Sequence, residues 1–119
     1  MDLTTYPLPH GGGAVLVVTG EIDLHTAPQL SQRLSTLAAT ESTIVVDLTG
    51  VAFLDSSALG ALVAAHRSMS PAGGHLALAG PQPHVAKVLQ LTRLTEVISV
   101  FGTVDEAEQA SSRRLPATD

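Results

Sequence analysis

The sequence predicts a single α/β domain, and three observations carry that prediction. Short runs of β-branched and aliphatic residues alternate with segments of helical periodicity through most of the chain, the pattern of a sheet with crossover helices. A length of 119 residues suits one core. The composition, 45% hydrophobic and 14% charged, lies well away from that of chains that stay disordered. With no Trp, one Tyr and two Phe, the core must be built from Ala, Val and Leu, and no aromatic stacking platform is available.

Taken in order, Leu3 to Leu8 suits an edge strand. Ala14 to Thr19 (AVLVVT), between a triple glycine and Gly20, reads as a short buried strand. Thr26 is placed as the N-cap of a first helix, with Pro28 in its first turn and Gln29 positioned to complete a capping box. Leu30, Leu34 and Leu37 then form its buried stripe. Thr43 to Leu48 (TIVVDL) has the continuous apolar character of a strand covered on both faces, with Thr49-Gly50 as its stop. A second helix begins near Ser56, with Leu59, Leu62 and Val63 on one side. Ser70 to Gly74 (SPAGG) is a breaker. A strand at His75 to Ala79, a helix striped by Val85, Val88 and Leu89, and a strand at Val97 to Phe101 follow. Thr103 and Glu106 make a capping-box pattern for a last short helix. The domain is expected to span residues 1–110, with the polar, basic stretch 111–119 as a frayed tail.

Composition also narrows function. The net charge of -5, with only six Lys plus Arg, argues against a footprint for nucleic-acid phosphates, so no direct nucleic-acid partner is expected. Without cysteine there is no disulfide framework, thiol nucleophile or thiolate metal site. Residues 1–10 lack the basic start and apolar run of a signal peptide, and no apolar run approaches the roughly 20 residues of a membrane span. A cytoplasmic location is expected. His10, His25, His66, His75 and His84 are scattered and show no metal-ligand spacing. A nucleophile elbow and a phosphate-binding Gly-rich loop are both absent. Neither an enzyme, a metal nor a cofactor is expected.

The informative segment is Val45 to Leu62, VVDLTGVAFLDSSALGAL, where Asp55-Ser56-Ser57 leads from an apolar stretch into a helix. Asp and Ser side chains accept hydrogen bonds from the unpaired N–H groups of a first helical turn. At about 100° per residue, Ser57 falls opposite the Leu59, Leu62 and Val63 stripe and should face solvent, while Ser56 falls near the stripe's edge. Gly60, Ala61 and Ala64 continue the Ser57 face as a strip of small residues. A phosphate at such a helix start is favoured by free N–H groups and the helix dipole. By themselves, Asp55-Ser56-Ser57 is more often only a cap, Asp23 a solvated turn residue and Asp47 a structural carboxylate.

The segment Asp55-Ser56-Ser57-Ala58-Leu59-Gly60 resembles the phosphoserine motif of the STAS family, in particular its anti-sigma factor antagonists, which read approximately D-S-S-G-L-G. The Gly20 to Leu30 segment, GEIDLHTAPQL, is similar to that family's first strand-to-helix turn, and the order of elements matches from Leu3 to Ala110. The resemblance implies a STAS-type domain with a mixed, mostly parallel sheet. It implies that Ser57 is the phosphoacceptor. It places the partner surface on Asp23, Asp55, Ser56, Ser57, Ala58, Gly60, Ala61 and Ala64. The implied partners are an anti-sigma factor with serine-kinase activity and a serine phosphatase acting on the phosphorylated form. Ala58 departs from the usual glycine and would add a methyl group beside the acceptor. The alternative is a STAS module serving as a fixed scaffold in a signalling assembly or transporter complex, with Ser57 only capping.

Overall fold

The computed structural model describes residues 1–113. Five strands, β1 (Asp2–Pro7), β2 (Ala14–Ile22), β3 (Thr43–Leu54), β4 (His75–Ala79) and β5 (Ser99–Phe101), lie in one sheet in sequence order. β1 pairs antiparallel to β2, and the other three pairings are parallel. The α-helices are α1 (Ala27–Ala38), α2 (Ser56–Met69), α3 (Pro83–Leu91) and α4 (Val104–Arg113), with short 3-10 turns at Ser70–Ala72 and Leu94–Glu96. The expected α/β class, with its mixed and mostly parallel sheet, is therefore observed.

Alternation along the strands divides the interior in two. Leu16, Val18, Ile44, Val46, Leu48, Leu76 and Leu78 point to the face covered by α1, α2 and α3, where Leu30, Leu34, Leu62 and Leu89 meet them. Val15, Val45, Ala77 and Ala79 point to the other face, where Ala107 of α4 and Leu8 close a smaller cluster. Full burial of one such Leu stabilises the fold by about 1.5–3 kcal/mol, so the three-helix layer dominates the packing.

Several details differ from the sequence reading. β2 runs past Thr19 to Ile22, and β5 starts at Ser99, two residues after the expected Val97. Thr49-Gly50 does not end β3, which continues to Leu54 through register shifts against β2. Asp47 therefore lies inside the strand, where its carboxylate accepts the Thr49 N–H at 3.0 Å and satisfies the backbone locally. Gly50 pairs with Thr19 so closely that a methyl group on it would lie 2.7 Å from Thr19 Cγ2. Helix α4 continues past Ala110 to Arg113, so the expected break at 111 falls inside a helix; residues 114–119 of the expected tail lie outside the described residues.

A further difference concerns how the start of α1 is capped, its position being as expected. Thr26 is the N-cap by position, but its side chain makes no capping bond and the box with Gln29 does not form. Asp23 closes the turn instead: its Oδ1 accepts the N–H groups of His25 (2.9 Å) and Thr26 (3.0 Å), while the Thr26 hydroxyl accepts the Asp23 N–H (2.8 Å). At α4 the Thr103 hydroxyl accepts the Glu106 N–H at 3.1 Å, as a capping box requires. Its reciprocal bond reaches one residue further back, from Gly102 N–H to Glu106 Oε1 at 3.0 Å.

Candidate functional site

The extension of β3 brings two helix starts together. Ile22, the last residue of β2, pairs with Leu54, the last residue of β3, and the Asp55 N–H donates to the Ile22 carbonyl at 3.1 Å. The Asp23 turn and the Asp55 turn therefore leave the sheet side by side. Both lie at the carboxyl ends of parallel strands, the edge at which open α/β sheets place their sites.

Asp55 is the N-cap of α2 in an extended conformation, and its Oδ1 accepts the N–H groups of Ser57 (2.9 Å) and Ala58 (3.3 Å). Two of the donors that would favour a phosphate are thus already taken by a carboxylate. Asp23 is equally committed to its turn. The Thr26 N–H, with the His25 N–H and the Thr26 hydroxyl, holds the Asp23 carboxyl below its ordinary value against the opposing effect of burial.

The buried face of α2 is not the one that hydropathy suggests. Ala58, Ala61, Leu62, Ala65 and Met69 are buried, while Leu59 and Val63 are only half-buried. Leu outranks Ala in hydropathy, but close packing of a helix on a sheet rewards small side chains at the point of approach. Three corrections follow. Ser56 is exposed and Ser57 half-buried, the reverse of the expected order. Ala58 is fully buried, so its methyl group faces the core rather than an approaching kinase. Ala61 is also buried, so the exposed small-residue strip is reduced to Gly60 and Ala64.

The two serines head different rows of α2. Ser57, Ala61, Ala64 and Ser68 follow one line, and Ala61, Ala64 and Ser68 meet Ser31 and Ser35 of α1 across a small hollow of about 200 Å³. Ser56 and Gly60 head the neighbouring row, about 100° around the helix, which runs on to Val63 and Arg67. The Ser57 hydroxyl makes no hydrogen bond among the described residues, so the side chain is not required as a cap.

Two residues that the sequence reading passed over stand out at this edge. Leu24 is 69% exposed within the Asp23 turn, and Phe53 is 48% exposed just before Asp55. The available signal was a Leu inside an otherwise polar turn, and a Phe in the run that separates the strand from the Asp-Ser-Ser cap. Among the described residues no group of three or more His, Asp or Glu could hold a metal ion, and no helix is long and apolar enough to cross a membrane.

A domain of this topology, with an Asp-Ser-Ser cap on the helix after its central strand, is of the STAS class. The STAS domain model matches residues 7–107, and the chain belongs to that family. Among its relatives is the anti-sigma-B factor antagonist of Listeria monocytogenes, 31% identical over 86 residues that cover 71% of this chain and 75% of that protein. The crystal structure of an anti-sigma factor antagonist from Mycobacterium paratuberculosis superposes with a TM-score of 0.80 at 32% identity, over 92% of this chain and 93% of that one. The anti-sigma factor antagonist SpoIIAA in its unphosphorylated form shares the fold, with a TM-score of 0.78 at 24% identity over 96% and 99% of the two chains.

Proposed function

We propose that this chain is an anti-sigma factor antagonist acting in the cytoplasm. Unphosphorylated, it binds an anti-sigma factor with serine-kinase activity and so frees a sigma factor. The kinase places a phosphate on Ser57, which ends the binding, and a serine phosphatase restores it. The observation that carries this reading is the Asp55-Ser56-Ser57-Ala58-Leu59-Gly60 motif at the start of α2, in a chain 31% identical to an anti-sigma-B factor antagonist.

The choice of Ser57 over Ser56 rests on that motif, because exposure alone favours Ser56. The contact surface comprises the Asp23 and Asp55 turns with Leu24 and Phe53, together with Ser56, Ser57, Gly60 and Ala64. A phosphate on Ser57 carries a charge of about -1.5 to -2 beside the Asp55 carboxylate, on a domain that is already acidic. Repulsion and desolvation at a close contact weaken binding without any need to unfold the domain.

The test is incubation of the chain with its anti-sigma factor kinase and ATP, followed by site-resolved mass spectrometry. Modification of Ser57, abolished in Ser57→Ala, is the expected result. Modification confined to Ser56, or Ser57→Ala retaining the full phosphate yield, refutes the assignment. A fixed scaffold would take up no phosphate at either serine.

A further inference from the structure

On the side of α2 away from α1, Leu59, Val63, Leu94 and Val97 floor a groove of about 320 Å³, and Arg67 and Arg93 stand along it. Val97 is 45% exposed and Leu59 and Val63 are half-buried, so this floor is apolar surface left open. The whole chain has six Lys plus Arg against eleven Asp plus Glu, and two of those six line this one groove. Glu96 lies 3.9 Å from Arg93, but both side chains are largely exposed, and such a pair neutralises little. The groove is a positive, apolar spot on an acidic protein.

Arg93 supplies a second observation. It is the one non-glycine residue with a left-handed backbone among the described residues, at φ 63° and ψ 19°. A side chain makes that conformation costly, and glycine would relieve it. The turn after α3 is thus held with an arginine at a position whose backbone favours glycine, which points to a use for the guanidinium.

We propose that this groove docks an amphipathic, acidic segment of the anti-sigma factor, its apolar side chains on the floor and its carboxylates on Arg67 and Arg93. The inference rests on the antagonist reading. It extends the contact surface from the Ser56 and Gly60 end of α2 toward Arg67, along the row next to the one that Ser57 heads. An amphipathic helix laid in an apolar groove is a common mode of recognition, and flanking charges add steering and register.

The probe is each purified anti-sigma factor kinase encoded by the same genome, titrated against wild type, Arg67→Glu/Arg93→Glu, Arg93→Gly and the control Arg33→Glu on α1. The double reversal is expected to lower affinity about tenfold or more, chiefly through the association rate, and to flatten its salt dependence. Arg93→Gly should unfold at the same temperature as wild type or higher and yet bind more weakly, a divergence that a merely structural arginine would not produce. Arg33→Glu should stay within about twofold of wild type. Equal affinity of wild type and the folded double reversal overturns the groove and leaves the antagonist reading standing. Failure of wild type to bind any of these kinases overturns both. An Arg-dependent dimer of the chain itself, seen by light scattering, shows that a second copy is the occupant and also overturns the proposal.

Discussion

At the head of α2, Ala58 and Gly60 stand two residues apart in opposite surroundings. Ala58 has no exposed surface and packs within the three-helix layer, whereas a methyl group added at Gly60 would meet nothing within 4 Å. One turn of helix thus combines a face whose shape is fixed by the sheet with a face free to meet another molecule. The departure from the family's usual glycine falls on the fixed face. The family's second glycine, retained as Gly60, falls on the free one. A substitution near Ser57 is therefore judged by the face it enters and not by its distance from that residue.

The largest effect is expected on the fixed face. Ala58→Leu should destabilise the domain by about 1–3 kcal/mol through overpacking, read by thermal or denaturant unfolding. Ala58→Gly should cost about 1–2 kcal/mol, from helix propensity and the lost buried methyl group, while leaving the rate of Ser57 phosphorylation unchanged. A faster phosphorylation in Ala58→Gly would return that methyl group to the kinase's side of the helix. Asp55→Ala removes the cap shared by both faces and should cost about 1 kcal/mol in the same assay. Gly60→Ala should instead stabilise the fold by up to about 1 kcal/mol, since helix propensity improves and no clash offsets it. If Gly60→Leu destabilised the domain as much as Ala58→Leu, the distinction between faces would fail.

Much of the fold was legible because the strands are continuous aliphatic runs and the breakers are unambiguous. His75 to Ala79 has the same bounds in sequence and structure. The far half of β3 was not legible, because Thr49-Gly50 carries the chemistry of a stop and only the pairing with Thr19 makes it a bulge within the strand. The start of α1 was legible at Thr26, but its capping bonds were not, because Asp23, three positions before Thr26, closes the turn from outside the helix. At the site, the motif marks Asp55, Ser56 and Ser57 by their residue types. Their exposure depends on which α2 residues approach the sheet, and that is set by Ala58, Ala61 and Ala65, whose low hydropathy gives no warning.

A smaller effect lies on the opposite face of the sheet and serves as a control for both faces of α2. Glu108 of α4, its side chain only 4% exposed, accepts the His10 backbone N–H at 2.7 Å and lies 3.0 Å from the His10 ring nitrogen Nδ1. The hydrogen bond to Glu108, and then its charge, raise the His10 pKa above its ordinary 6.5. Burial pushes the Glu108 carboxyl up, but the His10 ring and N–H donors and the His10 charge outweigh it and hold it below 4.5. A raised His pKa contributes stability that is complete below 6.5 and lost as pH rises through the raised value. A lowered Glu pKa contributes stability that is complete above 4.5 and lost as pH falls through the lowered value. The latch is therefore strongest between pH 4.5 and 6.5, and the melting temperature should decline toward alkaline pH more in wild type than in His10→Gln. Partner affinity compared across the same range should show no loss attributable to His10.

The central claim is that charge at Ser57 ends binding while leaving the fold in place, and Ser57→Asp tests it most directly. The helix dipole favours the new carboxylate by about 0.3–1 kcal/mol, and the Asp55 carboxylate already seated on the Ser57 and Ala58 N–H groups opposes it. Thermal unfolding and affinity for the anti-sigma factor are to be measured on one preparation. The account predicts stability within about 1 kcal/mol of wild type and an affinity reduced about a hundredfold or more, equivalent to a loss of about 3 kcal/mol. A Ser57→Asp protein that is equally stable and binds its partner as tightly as wild type would contradict it.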